Sequence, residues 1–364
     1  MLVELNVGVL EEWKQSLRDQ DIEKSTALKE KLATEVSHAG YAIKKEFVYL
    51  KTKHELVKRD LTNARKSIIK MEKYLSDSDL LYLHQYHCMK GMLSLLDKKY
   101  EPALYHYKLA EKKIEAVTDP GDIAEFHYNI SVVYYEVDKI TLALQHVNKA
   151  VRLFDDQKNI KKIADCQVLL ASCHYEIKQY VESERYYRKA LQYSEKIEYS
   201  TLKSMVHHNL GYLYGEQFKS QEAIKQLLKS IELPGSFDAE HEIKTYFLLT
   251  RESYRLGNIE NGNKFYEIGY ELCNKRQNPE YKYHLRVLKS SYDPDYSSYK
   301  ELENEYIEII NYFVENEIWY FVGQYGSILA QFYRDNGDFE EACEYYDLLV
   351  VAKEKLDYRG VLNG

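Results

Sequence analysis

The sequence predicts an all-α chain built from repeated antiparallel helix pairs, and three observations predict it. In His207 to Ser230, HHNLGYLYGEQFKSQEAIKQLLKS, small Gly211 is followed twelve positions later by small Ala223, with Tyr214 and Leu227 available to fill the space between two helices. The same step of twelve recurs at Gly91 and Ala103, Ser131 and Ala143, Ala171 and Ser183, Thr250 and Gly262, and Ala330 and Ala342. Five prolines and fifteen glycines in 364 residues are too few for a β fold or a disordered linker. The physical reason for the step is steric, since only small side chains let two helices approach closely. It is the signature of a tetratricopeptide repeat, and the predicted architecture is a right-handed superhelix of such repeats.

The second small residues, at 103, 143, 183, 223 and 262, are spaced by 40, 40, 40 and 39. A tetratricopeptide repeat usually takes about 34 residues, so either the helices are longer or the connections are. The gap of 80 from 262 to 342 leaves room for one degenerate repeat, Tyr281 to Tyr312, interrupted by Asp293-Pro294-Asp295. Residues 76–364 thus hold about seven repeats.

Residues 1–75 read as an N-terminal helical bundle. Leu5, Val9, Leu10, Trp13 and Leu17 stripe a first helix, 22–36 forms a second that Gly40 stops, and 42–61 and 62–75 form a third and a fourth. Ser76-Asp77-Ser78-Asp79 then caps the helix entering the first repeat. Further breaks fall at Lys98-Lys99, Asp119-Pro120-Gly121, Asp138-Lys139, Asp155-Asp156, Glu198-Tyr199-Ser200, Pro234-Gly235, Gly257-Asn258, Pro279 and Asn336-Gly337, with Pro120 placed to open a helix.

A formal charge of −8 argues against a general nucleic-acid binder. No apolar run approaches the roughly 18 residues of a membrane span and no leader opens the chain, so a soluble, cytoplasmic protein is expected. Cys88, Cys166, Cys173, Cys273 and Cys343 lack CxxC spacing and read as reduced core thiols. The hydrolase, kinase, dinucleotide-binding and metalloprotease motifs are absent, so no catalytic residue and no cofactor is assigned. His84 and His87 share a helix face without a third ligand nearby, and no metal site is expected.

Repeat geometry points instead to a groove lined by the first helix of each pair. Residues two and three before its first small residue, and one after it, project inward: Asn209, His208 and Tyr212 in one repeat, Asn129, Tyr128 and Val132 two repeats earlier. Asparagine both donates and accepts, which suits the unpaired N–H and C=O groups of an extended peptide. Glu176 and Glu216 lie five residues after the first small residue of their repeats, and Lys244, Arg251 and Arg255 form a basic stripe. Acidic groups in mid-groove with basic groups beyond would fix the direction of a charged peptide. A solvated face explains the same charges.

The opening VGVLEEWKQSL with Gly8, Glu12 and Trp13, the run Ala124-Glu125-Phe126-His127-Tyr128 with Tyr134-Tyr135, and Phe339-Glu340-Glu341-Ala342 with Tyr345-Tyr346 resemble the Rap proteins of bacilli over nearly the whole chain. With NprR, PlcR and PrgX these form the RNPP group of cytoplasmic receptors for short secreted and re-imported peptide pheromones. The resemblance implies a quorum-sensing receptor in which Asn209 holds the peptide backbone and Glu176 meets it from the neighbouring repeat. Phosphatase members carry a glutamine in an EEDQDLL stretch at the start of the third helix. Here the segment is His38-Ala39-Gly40-Tyr41-Ala42-Ile43, and Tyr41 stands about where the glutamine would be. Tyrosine positions an attacking water poorly, which argues against dephosphorylation of a response regulator. Transcription-factor members carry a helix-turn-helix ahead of the repeats, so this chain is either a complete Rap-like protein or the effector-binding part of an NprR-like regulator. A homo-oligomer is expected, and the alternative outputs are a Rap-type phosphatase and a protein-assembly scaffold.

Overall fold

The computed structural model describes residues 2–233, 239–292 and 299–362. Among them are eighteen α-helices and two 3-10 turns with no strand, so the all-α class holds. The chain divides into two compact units, Met1–Leu202 and Lys203–Gly364. In the first, α1 (Leu2–Arg18) packs on α2 (Ile22–Glu35), α3 (Tyr41–Val57) on α4 (Leu61–Glu72), and α5 (Leu80–Leu96) on α6 (Tyr100–Glu111). Likewise α7 (Pro120–Glu136) packs on α8 (Ile140–Asp156), and α9 (Ile160–Glu176) on α10 (Tyr180–Lys196). The division falls within α11 (Ser200–Glu216). Then come α12 (Ser220–Ile231), α13 (Ala239–Arg255), α14 (Ile259–Arg276), α15 (Pro279–Tyr292), α16 (Tyr299–Glu315), α17 (Trp319–Asn336) and α18 (Phe339–Leu362).

The long period has a simple cause. Helices α7 to α10 are 17 residues each and are joined by three-residue turns, so the repeat is stretched in its helices. The middle residue of such a turn is left-handed, as at Lys98 (φ 58°), Asp138 (φ 56°), Lys178 (φ 59°), Phe218 (φ 57°) and Gly257 (φ 72°), and Gly337 (φ 88°) is left-handed directly after α17. The next N–H reaches back to close the helix end, Lys139 to the Tyr134 carbonyl at 2.8 Å and Gln179 to that of His174 at 2.9 Å. This terminator satisfies carbonyls that would otherwise lack partners and sets the angle at which the second helix returns.

The small residues stand where the two helices of a pair cross. Ala103, Ala143, Ala171, Ser183, Ala223, Thr250 and Ala330 are wholly buried. A β-carbon added at Gly211 would lie 2.5 Å from Leu227, at Gly91 2.7 Å from the Tyr107 ring, and at Gly262 2.2 Å from the Tyr254 ring. Tyr107 and Leu227 each lie four residues after the second small residue, so one helical turn fills the space that the small pair leaves.

The N-terminal helices depart from the sequence reading. Thr52 and Ala64, twelve apart around left-handed Arg59 (φ 58°), are wholly buried, so α3 and α4 repeat the hairpin of the later pairs. The step went unnoticed because Lys51, Lys53, His54 and Glu55 surround it. Of these Lys53, His54 and Glu55 are buried, and Glu55 accepts from Ser67 Oγ at 2.6 Å. Trp13 and Ser25 are also twelve apart, and here the Trp13 indole N–H donates to Ser25 Oγ at 2.9 Å, which lies 2.7 Å from His54 Nδ1. Gly40 does not stop α2, which ends at Glu35, but caps α3. Of Ser76 to Asp79 only Asp79 caps α5, accepting from Tyr82 N at 3.0 Å, while the two serine hydroxyls meet each other. Cys343 is exposed rather than a core thiol. In the segment expected to hold a degenerate pair, Arg286 on α15 meets Glu305 on α16 at 2.6 Å. Asp293-Pro294-Asp295 and Pro234-Gly235 lie outside the described residues.

If these crossings hold the repeats together, Gly211→Val costs about 1–3 kcal/mol of overpacking. Gly8→Ala, at a helical position with nothing within 4 Å of the added carbon, leaves stability unchanged or raises it. Urea unfolding of both variants checks this, and equal midpoints for wild type and Gly211→Val would contradict it.

Candidate functional site

In the first unit, Asn129 lies on α7 two residues before Ser131, which is wholly buried in a helix that packs on α8. The amide is therefore carried toward the other side of its helix, where it lines a cleft of about 410 Å³ with Leu17, Lys53, Met89, Glu125, Lys162 and Tyr199. These residues come from α1, α3, α5, α7, α9 and the turn before α11, the first helices of successive pairs. Among the described residues the half-buried Asn129 amide has no hydrogen-bond partner. Lys53 is paired with Glu125, and the Lys162 ammonium stands 5.5 Å from the Tyr128 ring centre. Glu176 ends α9, is exposed, and accepts from the Tyr135 hydroxyl at 3.2 Å. Burial, and then the Glu176 charge, push the Tyr135 phenol up. A larger cleft of about 870 Å³ follows the turns Asp119–Gly121, Gln157–Lys161 and Ile197–Tyr199 and touches none of the predicted residues.

In the second unit, Asn209 is half-buried and its amide, too, has no partner among the described residues. Tyr212, one turn further along α11, is 37 % exposed, and the Arg251 guanidinium lies 5.9 Å from its ring centre. His208 does not project into a groove. It is buried, its Nδ1 lies 2.7 Å from Thr245 Oγ1, and its ring packs 4.2 Å from that of His241. Thr245 donates its own hydrogen to the His241 carbonyl, so the imidazole Nδ1–H must be the donor to it. Burial, and then His241, hold His208 well below the ordinary histidine range, and it serves as a neutral contact between α11 and α13.

The basic stripe is not an open row of cations. Lys244 pairs with Glu240 at 2.7 Å and stands 5.9 Å from the ring centre of Tyr281. Arg251 reaches Glu216 at 3.0 Å and Glu252 at 2.7 Å, and Arg255 reaches Glu252 at 3.0 Å. Glu252 is wholly buried and also accepts from Ser220 Oγ at 2.7 Å. Acid and base thus close on each other, where the sequence reading placed them in successive zones along a ligand. That reading missed Glu252, because a charge beside Arg251 looks like one more solvated group, and it missed Lys53, Lys162, Tyr199 and Tyr281. Glu125 was within reach, since it precedes Asn129 by one helical turn.

Among the described residues no group of three or more His, Cys, Asp or Glu side chains could hold a metal ion. No described helix is long and apolar enough to cross a membrane. Tyr41 opens α3, is 65 % exposed, and its ring lies 5.3 Å from that of Tyr74.

Tetratricopeptide-repeat family models match residues 163–234 and 328–353. The chain is 23% identical to the transcriptional activator NprA of Geobacillus stearothermophilus, over 83% of this chain and 76% of that protein. It is 22% identical to response regulator aspartate phosphatase I of Bacillus subtilis (strain 168), over 95% of this chain and 90% of that one. Among solved structures it resembles the apo form of the quorum sensor NprR from B. thuringiensis, with TM-score 0.85 and 22% identity over 97% of this chain and 100% of that one. It also resembles a Rap protein complexed with competence and sporulation factor, with TM-score 0.76 and 17% identity over 98% and 99% of the two chains. These relatives and neighbours are Rap and NprR-type regulators, the group the sequence resembles.

Because Arg251 faces the buried Glu252 carboxylate, Arg251→Ala should destabilise the second unit by about 3 kcal/mol. Thermal melting of the variant checks this. An unchanged transition would mean that Arg251 is not holding Glu252.

Proposed function

We propose that this chain, whose relatives are Rap and NprR-type regulators, is a cytoplasmic quorum-sensing receptor that binds a short signalling peptide and thereby switches a regulatory output. The observation that carries the reading is the pair of amides at one repeat position, Asn129 and Asn209, each half-buried and without a partner among the described residues. A half-buried amide left open within a folded chain offers a donor and an acceptor to a ligand's backbone at little further desolvation cost. Tyr212 follows Asn209 by one turn of α11 and has the Arg251 guanidinium 5.9 Å from its ring centre, and in this reading Glu176 and Lys244 add the charged contacts and His208 the support. No metal or cofactor is needed for this task.

The output we favour is control of a partner by binding, either of a response regulator or, with a DNA-binding domain, of transcription. A phosphatase output is the second reading, favoured by the names of two relatives. Tyr41 weighs against it, because an exposed phenol at the start of α3 replaces the amide expected to position the attacking water. Incubation with phosphorylated response regulators should therefore leave the rate of phosphate loss unchanged. A rate acceleration that survives Tyr41→Ala would establish the second reading.

Binding is tested with a pool of free linear heptapeptides, the retained members being identified by mass spectrometry and titrated calorimetrically. At least one of Asn129→Ala and Asn209→Ala should weaken the best ligand by about 1–3 kcal/mol, roughly 5- to 150-fold, with unaltered melting curves. Unchanged affinity in both variants would place any peptide elsewhere.

A further inference from the structure

The cleft beside Asn129 contains several charges, and they are not equivalent. Lys53 and Glu125, buried and half-buried respectively, close on each other and cancel. Lys162, one helix further on, lines the same cleft and has no ion-pair partner among the described residues. The nearest acid on its own helix is Asp165, one turn along, yet the two do not come within ion-pair distance. The Lys162 ammonium rests instead at the Tyr128 ring, and that of Lys161 lies 4.8 Å from the ring centre of Tyr199. Burial holds the Asp165 carboxyl above its usual range, the two lysines opposing that shift. The remaining cation on the cleft wall, Arg59, is an exposed turn residue. The cleft therefore presents an open positive charge, with Asn129, Gln20 and Tyr199 on its walls as neutral hydrogen-bonding groups and no uncancelled acid.

We propose that Lys162 receives a carboxylate of the signalling peptide, with the Asn129 amide beside it. This rests on the peptide-receptor reading and adds to it the chemical class of one ligand group. An ammonium resting on a tyrosine face gives up a weak contact when a carboxylate arrives, and the bond it gains is charge-assisted in a cleft of limited solvent access. Two sources supply that group, the peptide's free C-terminus and an aspartate or glutamate side chain.

The test uses the full chain and four heptapeptide pools, with free or amidated C-termini and with or without Asp and Glu at the randomised positions. Wild type should retain carboxylate-bearing members at least about tenfold better than amidated, acid-free ones. Lys162→Met, which keeps most of the aliphatic stem, should abolish that preference while leaving the melting temperature and the retention of acid-free members unchanged. A preference lost on amidation alone assigns the C-terminus, and one that survives amidation but needs Asp or Glu assigns a side chain. Retention indifferent to carboxylates, or a preference that persists in Lys162→Met, would overturn the assignment of Lys162. Retention of no peptide at all by wild type would overturn the receptor reading beneath it.

Discussion

The close crossing of two helices over a pair of small residues is the constraint from which the rest of the structure follows. At Gly211 the neighbouring Leu227 leaves no room for even a methyl group, and at Gly91 and Gly262 tyrosine rings do the same. Such a crossing fixes both the rotation of each first helix and its depth in the pair. Once the small residue faces its partner helix, the residue two positions before it is turned away from that partner. Asn129 and Asn209 are therefore placed by Ser131 and Gly211 rather than by contacts of their own. The left-handed residue in the three-residue turn completes the restraint, because it sets the return angle while using only backbone hydrogen bonds.

Several buried polar groups in this fold are held by sets of partners within the chain. Glu252 is surrounded by Arg251, Arg255 and Ser220, His208 by Thr245 and His241, and Ser25 by Trp13 and His54. Each set is internal, and removing one member leaves a buried group uncompensated. Asn129, Asn209 and Lys162 have no such sets. Half-buried donors of this kind are hydrated in the free chain, and a ligand that reaches them replaces that water.

The sequence was most informative where physics is local. The step of twelve and the period near forty located six helix pairs and the amide position, because sterics at a crossing admit few residue types. It was least informative where polar side chains are buried. Thr52 and Ala64 carry the same step, but the charged residues around them conceal it, since nothing in sequence shows that Lys53 will meet Glu125 some seventy residues away. The same blindness made Lys244, Arg251 and Arg255 look like a stripe for a ligand, when two of the three are spent on buried Glu252. His208 failed for a related reason: three residues before Gly211 the helix face has turned toward α13, a rotation that the spacing within one pair does not contain.

The central claim, that the open amides are ligand contacts, is tested most directly by nuclear magnetic resonance of the chain with asparagine labelled with nitrogen-15. The side-chain signals of Asn129 and Asn209 are assigned by their absence in the alanine variants. Titration with a retained heptapeptide should shift at least one of the two signals and slow its hydrogen exchange. Saturation of binding with both signals unmoved would contradict the account.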